Sequence, residues 1–480
     1  MSSAAVDGSV ADVDVLLIGA GPAGLAAAAA LVQAGIAVTI VDDNDQAGGQ
    51  YFRQLPAAFR VMPDARLARD QHRALAALAV LDHPLVTFMP GTTIWSMPAQ
   101  RVFSFSREGS SGRLRARAVI LATGAHDRPT PFPGWTLPGV VSAGGCLNLV
   151  KGQGMVPGRR VAIVGNGPLL LVAAYSLLRA GVEVVAVAEA ATAAGLLRQT
   201  PRLLLSPRLL ALGVGYRAAM LRAGVPLMNG HAVVVATGEQ RVERIVIAPL
   251  DAHQVPRHER ARTFAVDALI TGYGLTPSTE IARMIGCTMR NEPLLGGWVP
   301  ERSAALETSI EGIYAAGDGA GIGGVELAVV EGRLAGSAVA ARLGRPIPGT
   351  LAGAVRQLRR LDRFRHALSA AYALPEPVAL ATDETTICRC EDITQGEIRK
   401  AARDCDGNLG RIKSSIRLSM GRCQGRNCLV PAATIVASEC RVSLDSVRLP
   451  RMRPPARPIP IGSLLEEALG PAREPDMPPS

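Results

Sequence analysis

The sequence predicts an α/β protein with two Rossmann-like dinucleotide-binding domains and a small α-rich module at its C-terminal end. Three observations predict this. A strand–glycine turn–helix–strand unit fills residues 14–43, an altered second copy begins at Arg160, and four late cysteines group as C-x-C and C-x4-C. The 480 residues are enough for two to four domains, and 48% of them are apolar. Fifty glycines with only 4% aromatic residues suit a chain rich in nucleotide-binding turns. The net charge of +10 comes from scattered arginines, with one dense run at 356–365 (RQLRRLDRFR). No aromatic-plus-basic motif accompanies it, so a solvated helix face or an acidic docking partner is expected, and no nucleic acid. The first residues lack the basic and apolar regions of a secretory signal. Residues 19–41 are apolar enough to mimic a membrane span, but their glycines and acidic ends indicate a buried βαβ unit. The expectation is a soluble, cytoplasmic protein with no membrane span. Eight cysteines, four of them clustered, point to cofactor ligation rather than a disulfide framework.

In the first unit, Val15–Ile18 has the length of a buried strand. Gly19, Gly21 and Gly24 form G-x-G-x-x-G, with Pro22 and Ala23 opening a helix that Gly35 stops. A second strand, 37–41, leads into Asp42. Gly19 makes the tight turn, Gly21 admits a pyrophosphate to the backbone, and Gly24 lets helix and strand pack closely. The helix N-terminus faces the phosphates with about half a positive charge. Asp42 lies 18 residues after Gly24, where a carboxylate accepts from an adenosine ribose. Beyond it, Gly48, Gly49 and Gln50 form a turn able to bring backbone close to a flat ring, although an ordinary loop reads the same way.

Helix is expected over 66–81, and an antiparallel layer from strands 87–97 and 102–106. A buried strand at 116–123 exits through Thr123-Gly124. Residues 125–158 are a Pro/Gly-rich crossing between lobes. There His126 is a candidate proton-transfer group or a polar loop residue, and Cys146 is alone. No cysteine pair occurs in residues 1–350, which excludes dithiol exchange.

The second unit runs Gly165-x-Gly167-x-x-Leu170, with leucine where the third glycine belongs. Helix and strand are therefore expected to pack further apart, or the helix to tilt. Glu189 holds the ribose-acid position, and the absence of an arginine just after it favours NAD over NADP if a nicotinamide binds. NAD, another nucleotide and an empty degenerate site all remain open. Strands at 233–236, 242–247 and 266–271 complete this lobe. A further buried strand, 312–318, ends in Gly317-Asp318 before a helix over 325–343. Such an acid binds a ribityl or ribose hydroxyl, or simply caps the helix.

The order GAGPAG (19–24), GGQ (48–50), ATG (122–124), GNGPLL (165–170) and GD (317–318) resembles the two-dinucleotide-domain flavoproteins related to thioredoxin and glutathione reductases. The resemblance covers residues 12 to about 345. It implies FAD in the first unit, an inserted NAD(P)-binding-like unit, and a G-D strand that completes the FAD site. On it, Gly19, Gly21, Pro22, Ala23, Gly24 and Asp42 hold the diphosphate and ribose. Gly49, Gln50, Thr123, Gly124, Gly317 and Asp318 lie nearer the riboflavin half. The chain departs from that family in lacking a redox cysteine pair and the third glycine at position 170.

After a linker with a basic helix (346–382), the four cysteines are Cys388, Cys390, Cys423 and Cys428. Two close pairs joined by a helical stretch (394–402) suit a [2Fe–2S] or a tetrahedral zinc site. Zinc usually prefers C-x2-C pairs. Gly421 and Gly425 flank the second pair, where turns would offer N–H groups to the sulfurs. Cys405 and Cys440 fall outside the pattern. The blocks C-R-C-E and G-R-C-Q-G-x-x-C resemble the bacterioferritin-associated-ferredoxin-like (BFD-like) [2Fe–2S] module, except that the small ferredoxin spaces its second pair as C-x2-C. The expected order is a FAD domain, first part 12–150; an inserted domain, 151–272; the FAD domain, second part 273–345; the linker; the [2Fe–2S] domain, 383–447; and a Pro-rich tail, 448–480, lying as an extended arm or in disorder.

With DRPTPFPGWTLPGV (127–140), the whole chain resembles the flavoprotein α-type component of heteromeric amino-acid, opine and hydroxyproline dehydrogenases. Hydrogen cyanide synthase and sarcosine oxidase α are relatives in that resemblance. It implies an electron-transfer subunit with FAD and a [2Fe–2S] cluster. A D-amino-acid-oxidase-like flavoprotein β subunit would oxidise the C–N bond, with a small third subunit in some assemblies and a quinone or other acceptor downstream. No substrate base is legible in this chain. A stand-alone NAD(P)H-dependent reductase and a non-enzymatic Fe–S sensor or scaffold are the alternatives.

Overall fold

The computed structural model describes residues 10–54, 73–346, 351–372 and 379–464. Its first sheet centres on Val10–Ile18, which pairs in parallel with Val38–Val41 on one side and Ser110–Leu121 on the other. Val86–Met89 extends the sheet beyond Val38–Val41, and Ile313–Ala315 returns to pair with Ser110–Leu121, aligning Ile313 with Val119. A strand covered on both faces must be apolar throughout. Val15 and Leu17 enter one core and Leu16 and Ile18 the other, the two-residue alternation of a strand.

The sequence expectation of one strand over 87–97 is corrected here. Val86–Met89 belongs to the parallel sheet, whereas Thr92–Ala99 turns away to pair antiparallel with Val102–Arg107. Pro90 has no N–H for a ladder, and Gly91 takes φ +59°, so the chain breaks between them. Of the helix expected over 66–81, residues 73–78 are helical and Ala79–Asp82 closes as a 3₁₀ turn, while 66–72 lies outside the described residues.

The helix Pro22–Gln33 packs on the helix Val325–Arg342 through small residues. A Cβ on Gly332 would lie 2.1 Å from the Ala23 carbonyl oxygen, and one on Gly336 would lie 2.6 Å from that of Ala27. The two backbones are nearly in contact, and no side chain larger than hydrogen fits at either position.

The second sheet is parallel throughout, in the order Leu227–Asn229, Glu183–Glu189, Arg160–Gly165, Ala268–Gly272, Val140–Ser142. It already takes in Val140–Ser142, ahead of residue 151. An antiparallel sheet of His231–Thr237, Arg244–Pro249 and Arg262–Ala265 leans on it. The two chain crossings between the lobes, Ala125–Asp127 and Leu275–Pro277, pair antiparallel.

The basic run lies on a helix, Ala352–Ala371, that is not merely solvated. Leu351, Ala354, Val355, Leu358 and Leu361 form a stripe against the first lobe, and Phe364 and Ala367 bury beside Leu203 of the inserted lobe. The cysteine-bearing segment is a short hairpin (Thr386–Cys388 with Ile393–Thr394) and three helices, Gln395–Asp404, Leu409–Ile416 and Leu429–Cys440. A capping box between Thr394 and Glu397 starts the first helix. Ile387, Ile398, Ile412 and Val436 centre its core. The tail runs as an arm over the first lobe as far as it is described: Ala456 N–H donates to the Trp95 carbonyl at 2.8 Å, and buried Ser463 meets Ser106 at 3.1 Å. No helix among the described residues is long and apolar enough to cross a membrane.

Gly332→Val is expected to cost about 1–3 kcal/mol or more by forcing the two helices apart. Gly353→Val is the control for a glycine with nothing near its Cβ position. Thermal unfolding of both variants, followed by circular dichroism, measures this, and an unchanged midpoint for Gly332→Val would contradict the packing.

Candidate functional site

Around the first glycine turn, a Cβ on Gly24 would lie 1.9 Å from the Gly19 carbonyl oxygen, so glycine is obligatory there for strand and helix to touch. Gly49, at φ +58°, faces Gly21 so closely that its Cβ would fall 2.9 Å from the Gly21 Cα. The G-G-Q turn therefore lies directly over the fingerprint. Pro22 is the first helical residue, and the helix has no side-chain cap. Its first-turn N–H groups are thus suited to an external anion such as a diphosphate.

Asp42 is 7% exposed. Its Oδ2 accepts from Ala20 N–H at 2.6 Å, and its Oδ1 accepts from Asn44 N–H at 2.9 Å and Nδ2 at 2.7 Å. Burial pushes its pKa up, and these donors oppose the shift. Asn44, which the motif did not flag, holds this carboxylate in place.

The expected riboflavin-side residues come together around the ends of the parallel strands. Gln50 Nε2 donates to the Ala125 carbonyl at 3.0 Å, and Thr123 Oγ1 donates to the Ser278 carbonyl at 2.6 Å. Gly124 has φ +66°. Gly317 abuts the first turn, where an added Cβ would lie 2.8 Å from that of Ala23. Asp318 Oδ1 accepts from Gly323 and Gly324 N–H at 2.9 Å each, just ahead of the helix Val325–Arg342. Burial raises its pKa. Sequence reasoning missed the group that anchors this corner. Glu331 accepts from Gly317 N–H at 2.8 Å and forms a two-pronged pair with Arg302 at 3.0 and 3.2 Å, its side chain only 3% exposed. A glutamate inside the apolar run VELAVVEGRLAG was the available signal.

In the second unit, the expected widening or tilt at Leu170 is offset from across the interface. A Cβ on Gly272 would meet Leu170 Cδ2 at 2.9 Å, so the missing glycine has its counterpart on the adjacent strand. Glu189, at the ribose-acid position, is ion-paired to Arg217. An arginine is therefore present, but it arrives from the helix Pro207–Arg222 and not from the residues just after Glu189. Burial raises the Glu189 pKa against the pull of Arg217. Asn166, between the two glycines, accepts from Ala191 N–H at 3.0 Å and donates to the Tyr372 carbonyl at 3.1 Å. The end of the interlobe helix thus sits on this turn, and the Tyr372 phenol bonds to Arg217.

The four expected cysteine ligands are free thiols drawn to one end of the last module. Cys388 and Cys428 are buried, while Cys390 and Cys423 are half-buried. The Cys428 thiol neighbours those of Cys388 and Cys423, and the Cys423 thiol neighbours that of Cys390. The Cys428 thiol and backbone groups of Ser419, Glu391 and Cys390 lower the pKa of Cys388; the Cys428 thiol and backbone groups of Asn427 and Gly425 lower that of Cys423. Gly421 is required because a Cβ there would lie 2.2 Å from that of Cys390. Four thiols with backbone groups aimed at two of them are a donor set suited to iron–sulfur ligation. Among the described residues, no group of three or more His, Cys, Asp or Glu is arranged so as to hold a metal ion. Cys405 is packed in the module's core, its sulfur 3.9 Å from Ser415 Oγ.

Two interleaved dinucleotide folds, with a G-D strand returning to the first, define a two-domain flavoprotein. The model for the pyridine nucleotide-disulphide oxidoreductase family matches residues 13–342, and that for the sarcosine oxidase A3 domain matches 382–467. The chain is 33% identical to the A-type subunit of opine oxidase from Rhizobium meliloti, over 94% of this chain and 98% of that one. It is 31% identical to the HcnB subunit of hydrogen cyanide synthase from Pseudomonas aeruginosa, over 86% and 90%. L-proline dehydrogenase from P. horikoshii shares the fold, with TM-score 0.69 and 22% identity over 95% of this chain and 80% of that one. The chain belongs to the pyridine nucleotide-disulphide oxidoreductase family, as an FAD-dependent oxidoreductase of the group that includes the A-type subunits of opine oxidases.

Arg302→Met leaves the Glu331 carboxylate buried without its cation and is expected to cost about 3–5 kcal/mol, with loss of bound flavin, whereas Arg302→Met/Glu331→Met recovers most of the stability. Denaturant unfolding with flavin fluorescence measures both, and equal stability of the single variant and wild type would refute the anchoring role.

Proposed function

We propose that this chain is the FAD- and [2Fe–2S]-bearing electron-transfer subunit of a heteromeric dehydrogenase acting on CH–NH donors, of the opine, hydroxyproline or proline type. One observation carries the reading: the free thiols of Cys388, Cys390, Cys423 and Cys428 are neighbours at one end of a module docked on a flavoprotein lobe. The homologues named above are subunits of oxidases and synthases, which supports a partner, here a flavoprotein of the D-amino-acid-oxidase type working in the cytoplasm.

In this reading, the backbone from Gly19 to Gly24 binds the FAD diphosphate and Asp42 its ribose. Gly49, Gln50, Thr123, Gly124, Gly317 and Asp318 border the riboflavin half, and Cys388, Cys390, Cys423 and Cys428 ligate the cluster. A flavin takes up two electrons and releases them singly, which suits a one-electron cluster and a quinone or similar acceptor. The chain's own residues orient the cofactors, exclude water and hold their charges. Among the described residues no paired carboxylates or nucleophile–base set marks a substrate site, and this reading places C–N oxidation on the partner.

A stand-alone NAD(P)H reductase fits the second unit less well. Glu189 is engaged by Arg217, and Tyr372 lies across the fingerprint turn. A sensor or scaffold would need no flavin-to-cluster route.

Purified protein is expected to show flavin absorption with additional cluster absorption and about two irons per chain. Cys423→Ser should remove the iron and its absorption while leaving the flavin. Retention of both by this variant would discard the ligand assignment. NADH alone should leave the flavin oxidised, and the partner with an imino or amino acid should bleach it; bleaching by NADH alone would favour the reductase.

A further inference from the structure

Where the cysteine module meets the first lobe, a cavity of about 40 Å³ lies between His126, Thr276 and Glu280 on one side and Gln424 and Arg426 on the other. A buried water needs roughly 10–15 Å³ and two to four polar partners. Three side-chain atoms at this seam, His126 Nε2, Thr276 Oγ1 and Gln424 Oε1, are buried without a hydrogen-bond partner. Orphaned polar atoms are costly, and three at one small cavity indicate solvent bridging them.

The seam is also held from two sides. Arg426 Nε donates to Glu280 Oε1 at 2.7 Å, and both side chains are largely buried, 18% and 9% exposed. The tail closes over the same loop. Gln424 Nε2 donates to the Pro455 carbonyl at 2.8 Å and Arg426 Nη2 to the Ala456 carbonyl at 3.3 Å, while Ala456 itself is tied to Trp95.

The connectivity on each side gives this seam its meaning. Toward the flavin lobe, His126 lies two residues beyond Gly124 on the crossing strand Ala125–Asp127, whose Ala125 carbonyl receives Gln50. Its Nδ1 also lies 3.4 Å from Ser278 Oγ, and Ser278 receives Thr123 through its carbonyl. Toward the module, Gln424 directly follows Cys423. The seam thus lies between residues linked to the expected riboflavin side and the loop that carries the expected cluster ligand Cys423.

Resting on the flavin-plus-cluster reading above, we propose that this seam is the electron-exchange junction between the two redox units. Glu280 and Arg426 position the Cys423–Cys428 loop, and a resident water joins His126 to Gln424. With both groups bound, one electron at a time would cross here, the reduced flavin being the donor and the oxidised cluster the acceptor. No bond is made or broken in the crossing itself. The water and the two side chains replace a through-space gap by a continuous hydrogen-bonded path, over which electronic coupling decays less steeply. Glu280, His126 and Gln424 are positioning residues in this scheme, since none ligates the cluster.

The junction is tested on holoprotein. A crystal structure at high resolution should show one or more waters in contact with at least two of His126 Nε2, Thr276 Oγ1 and Gln424 Oε1. A dry cavity overturns the bridging path. After flash photoreduction of the flavin, cluster reduction is followed by its absorption and by electron paramagnetic resonance. Glu280→Gln and His126→Phe should each slow it about tenfold or more through misplacement of the loop or loss of the water. Flavin content, iron content and the separate spectra should stay at wild-type levels. Should His126→Phe fail to fold, Glu280→Gln still decides. Wild-type rates in the folded variants overturn the junction. Wild-type protein lacking iron instead sinks the cluster reading on which the proposal rests, and iron analysis separates the two failures.

Discussion

The close approach of the helices Pro22–Gln33 and Val325–Arg342 governs the first lobe. It brings the strand Ile313–Ala315 and the Gly317-Asp318 corner against a glycine turn far away in sequence. Gly332 and Gly336 permit this contact because their Cβ positions are occupied by the facing helix backbone. The inserted lobe can therefore interrupt the first without separating its halves. Glu331, on the same helix, then fixes the Gly317 N–H through its pair with Arg302. Helix packing and the geometry of the expected flavin corner are thus one constraint and not two.

The inserted lobe keeps the architecture of a nucleotide-binding fold while altering its site. Leu170 replaces the third glycine, and Gly272 on the neighbouring strand provides the space it needs. The acid at Glu189 remains but pairs with Arg217, and Tyr372 at the end of the interlobe helix bonds across the turn through Asn166. The basic run therefore acts structurally: one face of its helix seals the first lobe, and its C-terminal end covers the second lobe's turn. That is a packing role with solvated arginines on the remaining face, as expected of an amphipathic helix.

The cysteine module is held to the rest of the chain by contacts of different character. Trp135, from the Pro/Gly-rich crossing, donates to the Thr386 carbonyl at 2.7 Å and carries Arg389 over its ring at 5.2 Å. Glu280 and Arg426 form the second anchor, and the tail forms the third by bonding both the Gln424–Arg426 loop and Trp95. The crossing, the loop and the arm each look like connecting segments in isolation, yet together they dock the module.

Much of this was legible in the sequence. Period-two burial, glycine spacing and helix stops are local signals, so the βαβ units, the G-D strand and the four-cysteine pattern could be read directly from residues a few positions apart. The break at Pro90-Gly91 was local too, but the apolar residues on both sides masked it. What could not be read depends on partners distant along the chain. Arg217 on Glu189, Gly272 beneath Leu170, Arg302 on Glu331 and Arg426 on Glu280 are pairings that no spacing rule encodes, because a side chain's burial and charge partner are set only when separate elements pack. The sequence by itself determined the fold class and the chemistry available at each turn. The tertiary structure alone decided which carboxylates are paired, which turn is covered and which surfaces the cysteine module meets, since those follow from three-dimensional contact between elements far apart in the chain.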